Sequence, residues 1–198
     1  MSGDTHASAG LAAGLAVTAI SGAGFDSGVI AGLCWAVAGS LFPDLDQPRS
    51  KGNKIIAKVL PFVLAALCLC VFVNGNVFSL GSKAGLHFIG IVSILLLAFF
   101  CKTRPHREFS HSLVAMAAGS LCSALCGGIF SALMFGVGYA SHLVLDLLNG
   151  RGESLLYPSR QKFCLRLCAS DGKANKALGF LFWCFSVLIF AGGVLWQK

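Results

Sequence analysis

Apolar runs separated by short polar or glycine-rich breaks divide the chain into seven segments, at about 8–21, 28–42, 55–73, 84–101, 112–129, 131–149 and 177–196. Runs of this length predict helices. Three of them, Ile55 to Val73, Ala84 to Cys101 and Ala177 to Trp196, reach the length at which a helix rising ~1.5 Å per residue crosses a ~30 Å hydrocarbon core. The first two are shorter and rich in Gly and Ala, a composition that suits close small-residue packing or a partial span. Turns fall at Gly22 to Asp26, Asn74 to Ser82 and Gly127-Gly128. The pattern predicts an all-α polytopic transmembrane helical bundle of five to seven membrane helices, forming one integral-membrane domain over residues 1–198.

Composition points the same way. The chain is 56% hydrophobic and 12% charged, with a mean hydropathy of +0.79, against roughly 45–50% apolar and about 25% charged in a soluble domain. The surplus apolar surface needs lipid. Six of the nine cysteines, Cys34, Cys68, Cys70, Cys122, Cys126 and Cys184, lie inside apolar runs, where a thiol behaves as a small hydrophobe. The odd count argues against a disulfide framework. Only Cys164 and Cys168 form a pair in a polar loop with a spacing open to chelation. Met1 to Thr5 carries no basic stretch, so no cleavable signal peptide is expected.

The basic residues set an orientation. Arg49, Lys51, Lys54 and Lys58 flank the third segment, Lys102, Arg104 and Arg107 follow the fourth, and Arg151, Arg160, Lys162, Arg166, Lys173 and Lys176 lie between the sixth and seventh. Together they account for 13 of the 15 Lys and Arg residues. By the positive-inside rule these loops and the N-terminus are cytoplasmic. The net charge of +7 is thereby a topology signal, and no basic domain interleaved with aromatics exists to bind nucleic acid. From Arg160 to Cys168, helical spacing would gather Phe163, Cys164, Leu167 and Cys168 on one face, with Lys162 and Arg166 on another. That pattern fits either an interfacial helix on anionic lipid or an ordinary basic loop.

The chemistry gathers around Arg104-Pro-His-Arg-Glu-Phe-Ser-His-Ser112, where His106 and His111 stand in a short loop between apolar runs. Such residues at a bilayer edge are functional candidates. His142 and Asp146 are four apart and share a helix face. Asp44 and Asp46 follow the second segment, and His6 opens the first. Under the topology above all of these reach the same face. Histidines mixed with carboxylates suit zinc, manganese or iron better than an all-oxygen magnesium or calcium site. With this many donors a centre of one or two ions fits, and a two-ion centre would suit phosphoester hydrolysis. Arg107 offers a planar fork for a phosphate oxygen, and Arg160 is a second candidate for the anionic group. Blander readings stand beside these. Asp44 and Asp46 also suit a helix cap or a balance for Arg49 and Lys51, Glu108 suits a base or a solvated side chain, and His87 has no partner in its segment.

His6 with its small-residue helix, Pro43-Asp44-Leu45-Asp46-Gln47-Pro48, His106-Arg107-Glu108-Phe109-Ser110-His111-Ser112 and Gly138-Tyr139-Ala140-Ser141-His142-Leu143-Val144-Leu145-Asp146 resemble the motifs of a family of inner-membrane metal-dependent hydrolases that includes a LexA-regulated, SOS-linked bacterial member. Gly152 and Leu155-Leu156-Tyr157-Pro158 extend the likeness to about Arg166. Two positions depart from the family pattern: Glu108 replaces the usual Gly after His-Arg, and Asn149-Gly150-Arg151 replaces a Thr-Pro-type turn. The resemblance implies a multi-pass hydrolase of the bacterial inner membrane.

The resulting expectation is a zinc or manganese hydrolase acting on a phosphoester or ester, of a lipid or another membrane-adjacent molecule. His6, Asp44, Asp46, His106, His111, His142 and Asp146 are the expected ligands, with Arg107, Glu108 and Asp46 in catalytic roles and Arg107 and Arg160 on the substrate. A divalent-metal transporter uses the same ligand types but places them on broken helices near the membrane midplane. A non-enzymatic membrane stress protein with a structural metal is the third reading. The sequence is silent on oligomeric state.

Overall fold

The computed structural model describes residues 1–47, 50, 54, 55, 58, 59, 61–63, 66, 82–169 and 172–196. Most of the helix expected over 55–73, the basic residues Arg49 and Lys51 and the turn expected from Asn74 lie outside the described residues. Within them the chain is helical, with no strand and two isolated β-bridges, Asn149 with Cys168 and Glu153 with Phe163. Five helices are described: α1 (Gly3–Ser21), α2 (Ser27–Leu41), α3 (Lys83–Lys102), α4 (Leu113–Leu147) and α5 (Lys173–Trp196). Single 3-10 turns occupy Pro43–Asp46 and Phe109–His111.

Three of these helices are long and apolar enough to cross a membrane: Lys83–Lys102, Leu113–Leu147 and Lys173–Gly193. That is fewer than the five to seven expected. At 15 residues α2 is too short. The 19 residues of α1 include Asp4, His6 and several Gly, Ser and Thr, which dilute its apolar character. The large side chains exposed on α5, such as Phe180, Leu181, Trp183 and Leu188, make a surface suited to lipid.

The break expected at Gly127-Gly128 reverses the chain inside α4. Gly128 has φ 81°, in the left-handed region that favours glycine. Beyond it the second limb runs back along the first. A methyl group at Gly119 would meet the Phe135 ring at 2.5 Å, and one at Gly136 would meet Ser120 Oγ at 2.9 Å. Residues 16 apart on a straight helix stand ~24 Å apart, so these contacts require a hairpin.

Small residues bring α1, α2 and the second limb of α4 almost into backbone contact. A Cβ at Gly138 would lie 1.8 Å from the Ala36 carbonyl oxygen, one at Gly39 would lie 2.1 Å from that of Phe135, and one at Gly10 would lie 2.5 Å from Ser40 Cβ. Only glycine permits approaches this close. On the other side of α1, Thr5 Oγ1 donates to the Asn175 carbonyl and Ser2 N donates to Asn175 Oδ1, tying α1 to the start of α5. Phe42, Leu45, Cys101, Phe109, Phe135, Tyr139 and Leu143 form the apolar core beneath this end of the bundle.

All five helices have an end here. The first helix starts at it, α2 and α3 finish at it, α4 leaves and returns to it, and α5 departs from it. Lys83, the first residue of α3, stands at the opposite end of that helix.

Candidate metal centre

The small-residue crossings determine which side chains meet. His6 lies one turn before Gly10, and His142 one turn after Gly138. Their rings stack with centroids 3.8 Å apart and an interplanar angle of 17°. His142 Nδ1 lies 2.7 Å from the Ser40 carbonyl oxygen, an acceptor only, so Nδ1 carries a proton and, in the neutral ring, Nε2 is bare.

A separate relay fixes His111. Ser110 Oγ donates to Asp46 Oδ2 at 2.5 Å and accepts from His111 Nδ1 at 2.9 Å. His111 Nε2 is then bare too, and it faces His142 Nε2 across 3.3 Å. Burial, with His142 next to it, holds the His111 imidazole neutral, well below the usual histidine range. Two lone pairs pointed at each other in a buried space repel unless positive charge lies beside them.

Carboxylates supply the matching sign. Asp44 Oδ1 lies 4.0 Å from both Nε2 atoms. Asp146 Oδ2 lies 3.7 Å from His111 Nε2 and 3.9 Å from His142 Nε2, while its Oδ1 lies 3.1 Å from His6 Nε2. Two cationic groups already face Asp146, with Arg107 Nη2 at 2.6 Å from Oδ2 and the Met1 amino group at 2.5 Å from Oδ1. Beyond the approach of Nε2 to Asp146, the buried ring nitrogens of His6 have no partner among the described residues. Burial pushes the Asp44 carboxyl up, and His142 pulls it the other way.

Asp46 organises the neighbouring loop. Its Oδ1 lies 2.7 Å from His106 Nδ1, and its Oδ2 accepts from the Arg107 backbone N–H as well as from Ser110. Asp44 and Asp46 lie inside the Pro43–Asp46 turn, whose N-cap position is Phe42. Arg107 sits at φ 64°, with Nη1 donating to the Arg151 carbonyl. Tyr139 Oη donates to the Ser110 carbonyl at 2.5 Å and supports the loop from below.

Four triads place one ligand atom from each member within 4.8 Å of the others: His6, His142 and Asp146; Asp44, His111 and His142; Asp46, His106 and His111; and His111, Asp146 and Glu153. All seven side chains expected as ligands are brought together. The donor set, histidine nitrogens with carboxylate oxygens and His N–H groups anchored on a carbonyl and a hydroxyl, fits a divalent transition metal. No cysteine joins the triads; Cys164 and Cys168 are half-buried free thiols.

Besides Arg107, which pairs with Asp146, two expected participants stand outside these triads. Glu108 is half-buried next to the loop, and Arg160 is exposed on the segment following α4. His87 is exposed in the first turns of α3, away from the centre. The segment from Arg160 to Cys168 is not the amphipathic helix weighed as one reading. Leu165 and Leu167 donate backbone hydrogen bonds to the carbonyls of Leu147 and Leu148, and Glu153 and Phe163 exchange a backbone pair. Carbonyls at a helix end need such partners, and an extended strap supplies them.

Glu153 is the residue that the sequence reading missed. It is fully buried, and neither carboxylate oxygen has a partner. Burial, followed by the Asp146 carboxylate, pushes its pKa up to about 9. One signal was available: it is the only acidic residue between Asp146 and Asp171, in a stretch otherwise rich in Arg and Lys.

A family model described as YdjM inner membrane protein matches residues 1–198. That description agrees with the inner-membrane part of the resemblance drawn from the motifs. No curated protein and no solved structure matches the chain.

Proposed function

The chain belongs to the YdjM inner membrane protein family, and from that premise we propose that it is a metal-dependent hydrolase of a phosphoester or ester, carried by a lipid or another membrane-adjacent molecule. The observation that carries this reading is the pair of bare Nε2 atoms on His111 and His142, 3.3 Å apart and faced by Asp44 and Asp146. Zinc or manganese bound there supplies a Lewis acid and lowers the pKa of a coordinated water.

The chain's own groups divide the remaining work. His6, His111, His142, Asp44 and Asp146 hold the cation. Asp46 and Ser110 orient His111 and the His106 loop. Arg107 keeps one buried donor, Nε, without a partner, which is the atom we assign to a substrate oxygen. Access is from the Asp44 and His106 side, where 16% and 27% of each side chain remain exposed while His6, His111 and His142 are fully buried. A structural metal site is closed, whereas a catalytic one keeps an open position. The basic loops at this end support a cytoplasmic face for the centre and N-terminus. We count α1, α2 and each limb of α4 as membrane elements beside α3 and α5.

The burial of the three histidines favours a second reading, a metal that only staples the helix ends. Turnover separates the two. The protein in lipid nanodiscs is stripped with chelator, reloaded with zinc or manganese, and assayed on phospholipids and phosphomonoesters. Hydrolysis that needs the metal and is lost in Asp44→Asn supports the enzyme. A metal-loaded protein that turns over nothing supports the staple.

A further inference from the structure

Two buried ligating side chains at this centre keep polar atoms unpartnered among the described residues: His6, whose Nδ1 has no hydrogen-bond partner while its Nε2 lies 3.1 Å from Asp146 Oδ1, and Glu153, at both carboxylate oxygens. Such groups are rare in folded proteins and call for a specific explanation. Each belongs to a different triad. His6 stands with His142 and Asp146, and Glu153 stands with His111 and Asp146. The triads share only Asp146, whose Oδ1 lies 3.1 Å from His6 Nε2 and whose Oδ2 lies 3.7 Å from His111 Nε2 and 3.9 Å from His142 Nε2. No nitrogen is needed twice.

Charge argues the same way. Asp146 is already faced by Arg107 and the Met1 amino group, whereas Glu153 is buried with no cationic or hydrogen-bonding partner among the described residues, and an unsatisfied buried carboxyl is costly. The Arg107 guanidinium is committed to Asp146 Oδ2 and the Arg151 carbonyl and gives Glu153 no hydrogen bond. Building on the metal reading above, we infer that the centre has two cation seats bridged by Asp146, the first completed by His6 and His142 and the second by His111 and Glu153. Paired ions ~3.5–4 Å apart with a shared carboxylate are the arrangement that clamps both oxygens of a phosphoester, which narrows the substrate class to phosphoesters.

The test counts ions. Protein purified in detergent is loaded with manganese, desalted and analysed for metal per chain, and its electron paramagnetic resonance spectrum is recorded. Wild type is expected to hold two ions with an exchange-coupled spectrum. Glu153→Gln, close to isosteric with the protonated acid, is expected to hold one ion with the spectrum of an isolated centre, and His6→Ala likewise one. The wild-type spectrum keeps the question answerable if a variant fails to fold. A single uncoupled ion in wild type, or two ions persisting in Glu153→Gln, overturns the two-seat assignment and leaves the metal reading intact. A wild type that retains no metal overturns the metal reading, and this inference falls with it.

Discussion

His142 Nδ1 and the Ser40 carbonyl, 2.7 Å apart, connect the crossing of α2 and α4 to the chemistry, because that hydrogen bond decides which histidine nitrogen is bare. The contact exists only because Gly39 and Gly138 let the two backbones meet.

Gly138→Ala therefore acts on the site from a distance. The added methyl falls 1.8 Å from the Ala36 carbonyl oxygen, so the helices must part. Overpacking of this kind costs about 1–3 kcal/mol, and loss of a partner that orients a ligand weakens metal binding about 10–100-fold. Thermal unfolding in detergent and zinc titration check both. Gly136→Ala is the control: its methyl meets only the Ser120 hydroxyl at 2.9 Å, a group that can rotate away, and little change is expected.

Metal should stabilise the fold as well as occupy it. At a free zinc concentration 100-fold above the dissociation constant, linkage adds ~2.7 kcal/mol to unfolding. Differential scanning fluorimetry with and without zinc is expected to show the increment in wild type. His142→Ala, which removes one of the two bare Nε2 atoms, is expected to lose it.

Glu153 gives metal-free protein a pH signature. Its pKa is about 9 when folded, raised first by burial and then by Asp146, against an ordinary 4.5. Between those values the folded chain keeps a proton that the unfolded chain has released. The contribution is therefore complete below about pH 4.5 and is lost as pH rises toward 9, with a slope of at most about 1.4 kcal/mol per unit. Glu153→Gln is expected to flatten that slope in chelator-treated protein. Zinc affinity should show the opposite trend and rise with pH, since binding displaces protons from the ligands.

Arg107 separates backbone from side chain. At φ 64° it occupies a conformation that costs any residue with a Cβ about 1 kcal/mol. Arg107→Ala and Arg107→Gly lose the same contacts to Asp146 and Arg151, yet the glycine variant is expected to be the more stable by about that amount in thermal unfolding. Equal melting temperatures would show that the left-handed backbone at this position carries no strain.

Much of this arrangement was legible in the chain. His6, the two aspartates after α2, the histidine loop and the His142–Asp146 pair lie at helix ends, and alternating helix direction alone brings those ends together. The hairpin inside α4 was signalled by Gly127-Gly128. Other features depended on contacts between segments. The row Phe163, Leu165, Leu167 is compatible with a strand and Phe163, Cys164, Leu167 with a helix; the carbonyls at the end of α4 decide for the extended form. Glu153 reads as a solvated loop residue until the strap folds over it. The orientation of Arg107 toward Asp146 also follows from a left-handed backbone that no local pattern announces.

The most direct test is X-ray absorption at the zinc edge on protein loaded with one equivalent of zinc. The spectrum should show a nitrogen and oxygen shell at ~2.0–2.1 Å with outer-shell imidazole scattering, and His111→Ala and His142→Ala should each reduce that scattering. A sulfur shell at ~2.3 Å, or a spectrum without imidazole that neither substitution changes, would contradict a centre built on these histidines.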